Sequence, residues 1–313
     1  MFNPDRLPPP LVLGPFTVTE ARALGLTDGQ LRHARIRRLG RGIRTLAEAD
    51  DDGTPLALLA RPYSLATGYS AVSHETAFHI WGFPGFLPST GSGIHIARQS
   101  PHTTPRRPGV VGHKTQFFDD EVAFVDGLWI TTRVRTWLDC SRRMSEDELT
   151  VVADHLLRVP RPKFEGRSEP YASISDLDLI LDRHKGTPGI RKARLALGQA
   201  RVGSDSAPET RLRLALARAR LPEADLNTPV DLGNGVERSP DLSFPVYKVA
   251  VEYEGRVHAD PAQVDRDISR EEDYQRGGWQ QVRISNRHMD HEAHAAVAKV
   301  RAALRRAGWR PTG

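Results

Sequence analysis

Apolar positions near the start of the chain support two short helices and a hairpin. Thr17 or Thr19 can cap a helix over TEARALGL, and Thr27 with Gln30 has capping-box spacing for a second. Leu24, Leu26, Leu31, Ala34 and Ile36 supply a small core. RRLGRGIRTL then reads as strand, tight turn at Gly40-Arg41-Gly42, strand. Two helices and a basic hairpin predict a winged helix-turn-helix over residues 1–50. Arg32, Arg35, Arg37 and Arg38 would lie on or just after its recognition helix, with Arg41 on the wing.

Residues 54–158 predict a middle α/β domain. A helix is expected around Ser73–Trp81, strands at Ile94–Ala97 and Leu128–Thr131, and amphipathic helices over RTWLDCSRRM and SEDELTVVADHLLR. His74, His79, His95, His102 and His113 fit no ligand spacing and read as core or surface histidines. Residues 159–203 read as a linker rich in Pro, Gly and charge, followed by helices at Ser173–His184 and Ile190–Ala200.

Residues 204–313 follow the order helix, strand, strand, helix, strand, helix. Ser206 opens the first helix, with Glu209 three residues on. Glu209 can close a capping box with Ser206, or lean from the helix start onto a sheet. In Lys248-Val-Ala-Val-Glu-Tyr-Glu254, Val249, Val251 and Tyr253 take one face; Lys248, Ala250, Glu252 and Glu254 take the other. Asp241 comes from the adjacent strand. Such carboxylates are costly to bury unless protons or a cation neutralise them, and hard oxygen ligands suit Mg2+ or Mn2+. An exposed polar sheet face is the alternative. His288, His291 and His294 fall at a spacing that cannot converge on one helix face. The predicted class is mixed α/β throughout.

Composition narrows the possibilities. The chain is 39% hydrophobic and 27% charged, with mean hydropathy −0.46. These values exclude collagen, a coiled-coil rod and a wholly disordered chain. No apolar run approaches the roughly 18 residues of a membrane helix, so no membrane partner is expected. Residues 1–15 carry neither a basic nor a continuous apolar leader segment, so no signal peptide is expected. Cys140 is the only cysteine, which rules out an intramolecular disulfide and a multi-cysteine zinc site and suggests a reducing cytoplasm. The net charge is +5. Residues 1–45 hold eight arginines against Asp5, Glu20 and Asp28, so the whole excess falls on that end. A basic end on a neutral body suits phosphate binding.

Ser206, Glu209, Leu212, Arg213, Asp241, Glu252-Tyr253-Glu254-Gly255, His258, Asp267, Arg270 and Gly278-Trp279 together resemble the pattern of the PD-(D/E)XK nuclease superfamily, in its Vsr-like (very short patch repair) branch. The resemblance covers about a third of the chain. It implies a restriction-endonuclease-like α/β sandwich. The front half, with SHETAFHIWGF and ITTRVRTWLDCS, resembles the AbiEi-type antitoxin arrangement more loosely. The lysine of the classical motif is Glu254 here, so His258, Arg283 or, less readily, Lys248 would supply the missing function.

The resulting expectation is a Mg2+- or Mn2+-dependent endonuclease acting on DNA, in genome defence or repair; nothing in the residues separates DNA from RNA. Asp241 and Glu252 would hold the metal, with Glu209 and Glu254 beside them. His258 would serve as general base. Arg270 and Arg283 would contact the phosphate, and Asp267 would orient its neighbours. A homodimer and a toxin or defence partner fit this picture. The alternative is an antitoxin-like regulator that binds DNA and carries an inactive nuclease fold.

Overall fold

The first helix forms where the threonine spacing puts it. Thr17 caps Val18–Ala23, accepting the Glu20 amide at 3.1 Å while Glu20 accepts the Thr17 amide at 2.9 Å. This is a computed structural model, and it describes residues 7–47, 53–233, 235–255 and 261–311. Thr27 and Gln30 exchange the same reciprocal bonds, yet the second helix is one 3-10 turn, Gln30–Arg32. Gly29 weakens the first turn and Ile36 is drawn into a strand, so too few residues remain to repay helix nucleation. Arg32 alone of the expected arginines sits on the helical turn. Arg35 follows it, Arg37 and Arg38 stand on the strand Ile36–Gly40, and Arg41 lies in the turn before Ile43–Leu46. Phe16–Thr17 completes a three-stranded sheet with Ile43–Leu46 at its centre.

The chain divides into two compact units that interleave in sequence. One takes Met1–Met144 and Asp176–Ile190; the other takes Ser145–Ser175 and Arg191–Gly313. This division by contacts runs across the 159–203 segment read from the sequence as a linker with two helices. Its cause is tertiary pairing that spacing does not encode. His184 returns to the first unit, where its Nε2 lies 2.7 Å from Glu121. Helix Glu146–Leu157 belongs to the second unit because Asp154 accepts bonds there from Thr210 and Arg213 at 2.9 and 2.7 Å.

In the first unit a five-stranded mixed sheet runs in the order Val110–Thr115, Ile94–Gln99, Ser70–Val72, Leu128–Thr131, Val122–Val125. Helices Leu56–Ala66, His74–Ile80 and Arg133–Cys140 accompany it. Ala60, Val72, Ala77, Ile96 and Ile130 form its core. A closed ionic network lies beside that core. Arg135, 3% exposed, donates to Asp139 at 2.9 Å and Glu121 at 2.5 Å. His74 stacks on His113 with ring centroids 3.6 Å apart, and His113 reaches His95 at 3.0 Å. His95 is buried, and His74 and His113 are half-buried beside it.

The second unit is a four-stranded sheet between helices. The order is Gln280–Ser285, Val249–Glu254, Leu242–Phe244, Asp225–Leu226; the first pair is parallel and the others antiparallel. Val249 and Val251 face the apolar cluster of helices Ala207–Arg218 and Asn286–Arg306, the latter interrupted at Asp290–Ala293. Ala250 faces the other way, toward Tyr274 of helix Pro261–Arg276. Among the described residues no helix is long and apolar enough to cross a membrane.

Two outcomes follow from these buried groups. Asp154, 1% exposed, leaves the Arg213 guanidinium without its carboxylate when removed. Asp154→Ala should therefore cost about 3–5 kcal/mol in urea unfolding. Burial lowers the His95 imidazole to about 4 and His113 to about 3, so both are neutral in the folded chain at pH 7. Below pH 6.5 the unfolded chain takes up protons that the folded one refuses. Stability should thus fall from pH 7 to pH 5.5, by about 1–2 kcal/mol for His95 alone, and His95→Gln should flatten that dependence.

Candidate active site

The alternation of the strand Val249–Glu254 decides what its acids meet. With Val249 and Val251 fully buried on one face, Glu252 and Glu254 must project from the other. Asp241 immediately precedes Leu242, which pairs with Val251. The Tyr253 amide donates to Asp241 Oδ2 at 2.6 Å, which locks that carboxyl against the strand at Glu252–Tyr253.

Glu252 is 9% exposed and receives three donors. The Tyr274 hydroxyl donates to Oε1 at 3.2 Å; Gln281 Nε2 and Arg270 Nη1 donate to Oε2 at 3.0 and 3.3 Å. Glu209 is 7% exposed. Ser206 Oγ donates to Oε1 at 2.7 Å and caps the helix by accepting the Glu209 amide at 3.4 Å. The Asp205 amide and Asn227 Nδ2 donate to Oε2 at 2.9 and 3.1 Å. Asn227 also donates its backbone N–H to the Asp241 carbonyl at 3.1 Å, so one residue ties Glu209 to the Asp241 segment.

The charge balance on this face is negative. Burial, then the Glu209 charge, then Glu252 push the Asp241 carboxyl up to about 7; the Tyr253 amide works against them. Burial and Glu252 also push the Tyr274 hydroxyl up, which keeps it a donor. Arg270 bonds Glu252, and the charges of Glu209 and Glu252 both act on Asp241.

The remaining site residues lie at the margin or elsewhere. Glu254 pairs with Arg283 at 3.3 Å, and Arg283 also reaches Glu271 at 3.3 Å. Lys248 precedes the strand in the left-handed region (φ 49°), and its Nζ points to the Gly277 carbonyl at 3.4 Å, away from the acids. Its expected place on the strand face is corrected. Asp267 belongs to helix Pro261–Arg276, and His258 lies outside the described residues. Arg32, Arg35, Arg37, Arg38 and Arg41 belong to the first unit. Asn227, Tyr274 and Gln281 were not read as site residues. Tyr274 carried a signal, four residues after Arg270 on one helix face; the other two carried none.

The donor set bears on a metal. Asp241 and Glu252 offer hard oxygens on a face with surplus negative charge, which fits Mg2+ or Mn2+. Among the described residues no three His, Cys, Asp or Glu side chains are grouped to enclose an ion. Two carboxylates with the other positions left to water or phosphate is the usual way Mg2+ is held.

No family model matches the chain, and no solved structure matches it. Two curated proteins from two strains of Mycobacterium tuberculosis are 26% identical over 259 residues, which covers 82% of this chain and 88% of theirs. Both are described as uncharacterized. A match of that length runs through both units.

A carboxyl raised toward 7 holds a proton in the folded chain that the unfolded chain has already lost. Its contribution to stability is present near pH 4 and is lost as pH rises to 7. Asp241→Asn should therefore melt about 2–4 °C above wild type at pH 8 in metal-free buffer, with the gap closing near pH 4. Added Mg2+ or Mn2+ should raise the melting temperature of wild type and leave the variant unmoved.

Proposed function

We propose that the chain is a metal-dependent endonuclease that hydrolyses DNA phosphodiester bonds. In this reading the second unit carries a restriction-endonuclease-like site and the basic first residues act as a winged helix that engages the duplex. The observation that carries it is the half-buried Asp241 carboxyl, held beside Glu252 by the Tyr253 amide at 2.6 Å, where burial and the Glu209 and Glu252 charges push it up. Perturbation by like charges on a half-buried face is the usual mark of an acid cluster that serves a cation and a reaction. The resemblance to the Vsr-like nucleases, quoted residue by residue above, gives that cluster its chemistry.

Asp241 and Glu252 would hold the ion, with Glu209 adding charge from behind. A bound Mg2+ or Mn2+ lowers the pKa of a water and withdraws charge from phosphate oxygens. Tyr274 and Gln281 fix the orientation of Glu252 through one bond to each oxygen. Arg270 is 46% exposed in its side chain and reaches Glu252, and in this reading it also contacts the phosphate. Glu254 stands where a lysine is usual, and Arg283 brings a positive charge to it from the neighbouring strand. His258 keeps its assigned part as proton acceptor. The setting is the reducing cytoplasm, and a second copy would serve the second strand.

The alternative, a DNA-binding regulator with a silent site, draws support from the absence of a closed three-ligand group among the described residues. Cleavage separates the two readings. Wild type with Mg2+ or Mn2+ should cut double-stranded or mismatched DNA, while Asp241→Ala and Glu252→Ala should each lose at least about a hundredfold in rate. Salt-dependent binding without cutting by any preparation favours the regulator. Arg32→Ala and Arg38→Ala should each lower the salt slope of duplex binding by about 0.9 in either reading.

A further inference from the structure

The first unit carries two cavities that meet at Thr67 and Gly68, where helix Leu56–Ala66 passes into strand Ser70–Val72. They differ in chemistry. One, of about 640 Å3, is lined by Arg98, Arg106, Arg107 and Lys114 and by no acidic residue. The other, of about 510 Å3, is lined by Tyr69, Phe117, Phe118 and Trp129, with Asp119 as its one acid. Each volume falls within the roughly 300–1,000 Å3 of small-ligand sites.

The cationic cavity is built. Arg107 donates to the carbonyls of Ala66 and Arg41, the latter at 2.7 Å, and Arg98 Nε donates to the Gly68 carbonyl at 2.9 Å. Carbonyls orient these guanidinium groups without cancelling their charge. Among the described residues none of the four cations pairs with a carboxylate. The contact to the Arg41 carbonyl ties Arg107 of the cavity to the turn of the basic hairpin.

The aromatic cavity presents ring surface to solvent. Tyr69 is 73% exposed, Trp129 42% and Phe118 41%. Tyr69 stacks on His102 at 4.4 Å, and Trp129 leans on Phe124 at 4.8 Å, so these rings are held in place. Water gains nothing from such a surface, and apolar faces left open beside an ordered charge cluster usually meet a ligand.

We propose that these joined cavities bind single-stranded nucleic acid, with phosphates in the cationic cavity and one or two bases on the aromatic rings. Cations without sequence readout and aromatic platforms for bases are the two components such binding needs. A duplex keeps its base faces stacked inside, so it can use the arginines but not the rings. This site uses no residue of the carboxylate face and stands whether or not that face cuts DNA.

The test is fluorescence anisotropy of labelled ten-nucleotide oligo(dT), oligo(rU) and a ten-base-pair duplex, with the full chain in EDTA so that the probes stay intact. Single strands should bind more tightly than the duplex. Trp129→Ala should weaken single-strand binding by about 5–100-fold and leave duplex binding within about twofold. Arg106→Ala with Lys114→Ala, both on exposed side chains, should lower the single-strand salt slope by about 1.4. Phe118→Ala provides a second aromatic probe if Trp129→Ala fails to fold. Equal affinity for duplex and single strand, folded aromatic variants with unchanged single-strand binding, or full competition by inorganic phosphate would each overturn the proposal. None of these outcomes touches metal-dependent cleavage, which is read separately with the Asp241 and Glu252 variants.

Discussion

In the second unit the half-buried Asp241 carboxyl feels two charges of its own sign, Glu209 at the start of helix Ala207–Arg218 and Glu252 on the neighbouring strand. That constraint explains the arrangement around them. Ser206, Asn227 and a backbone amide hold Glu209, and Tyr274, Gln281 and Arg270 hold Glu252. Asp241 receives a single backbone amide and absorbs the repulsion as a raised proton affinity. The opposite face of the strand is wholly apolar, so the register cannot slip to relieve the strain without exposing Val249 and Val251. The fold thus holds the acids against their own electrostatics, and a face of that kind persists when function needs it.

The first unit shows that perturbed titration alone does not mark a site. His95 and His113 are pushed down and the Glu121 carboxylate is held below the ordinary range, yet the charges of this buried network are paired. Arg135 answers Glu121 and Asp139, Arg143 answers Glu75, and the His95 and His113 imidazoles are neutral at pH 7. Burial is offset by pairing, which is the economy of a core. On the carboxylate face the first two pressures on Asp241 are burial and a charge of its own sign, and Arg270 is a partly exposed counterweight. The sign of the neighbours, more than the size of the shift, distinguishes the two clusters.

Sequence reading succeeded where a local period carries the information. The two-residue alternation of Val249–Glu254 told which side its acids take, and the threonine and serine caps at Thr17, Ser145 and Ser206 lie where their spacing put them. It overreached at Thr27, where a sound capping box precedes too short a run for more than one 3-10 turn. Helix Leu56–Ala66 went unread because Pro62 lies inside it and its apolar residues do not keep to one face. The interleaving of the units was beyond reach, since it turns on Asp154 with Arg213 and His184 with Glu121, pairs 59 and 63 residues apart. Asn227 and Gln281 were missed for the same reason: their bonds to Glu209 and Glu252 span 18 and 29 residues.

Counting charges along the chain places the positive excess in residues 1–45, but pairing decides how much of the positive charge is available. In the second unit Arg211, Arg213, Arg218, Arg238, Arg276 and Arg283 each meet a carboxylate. Their charge is spent within the fold. In the first unit Arg32, Arg38, Arg41, Arg98, Arg106 and Lys114 have no carboxylate partner among the described residues. A balanced count over residues 46–203 therefore conceals a cationic surface, because the acids in that stretch are engaged elsewhere: Glu121 and Asp139 with Arg135, Glu75 with Arg143, Asp120 with Arg183. A polyanion responds to what remains after pairing, so it meets a larger surface on the first unit than the basic N-terminal sequence alone implies.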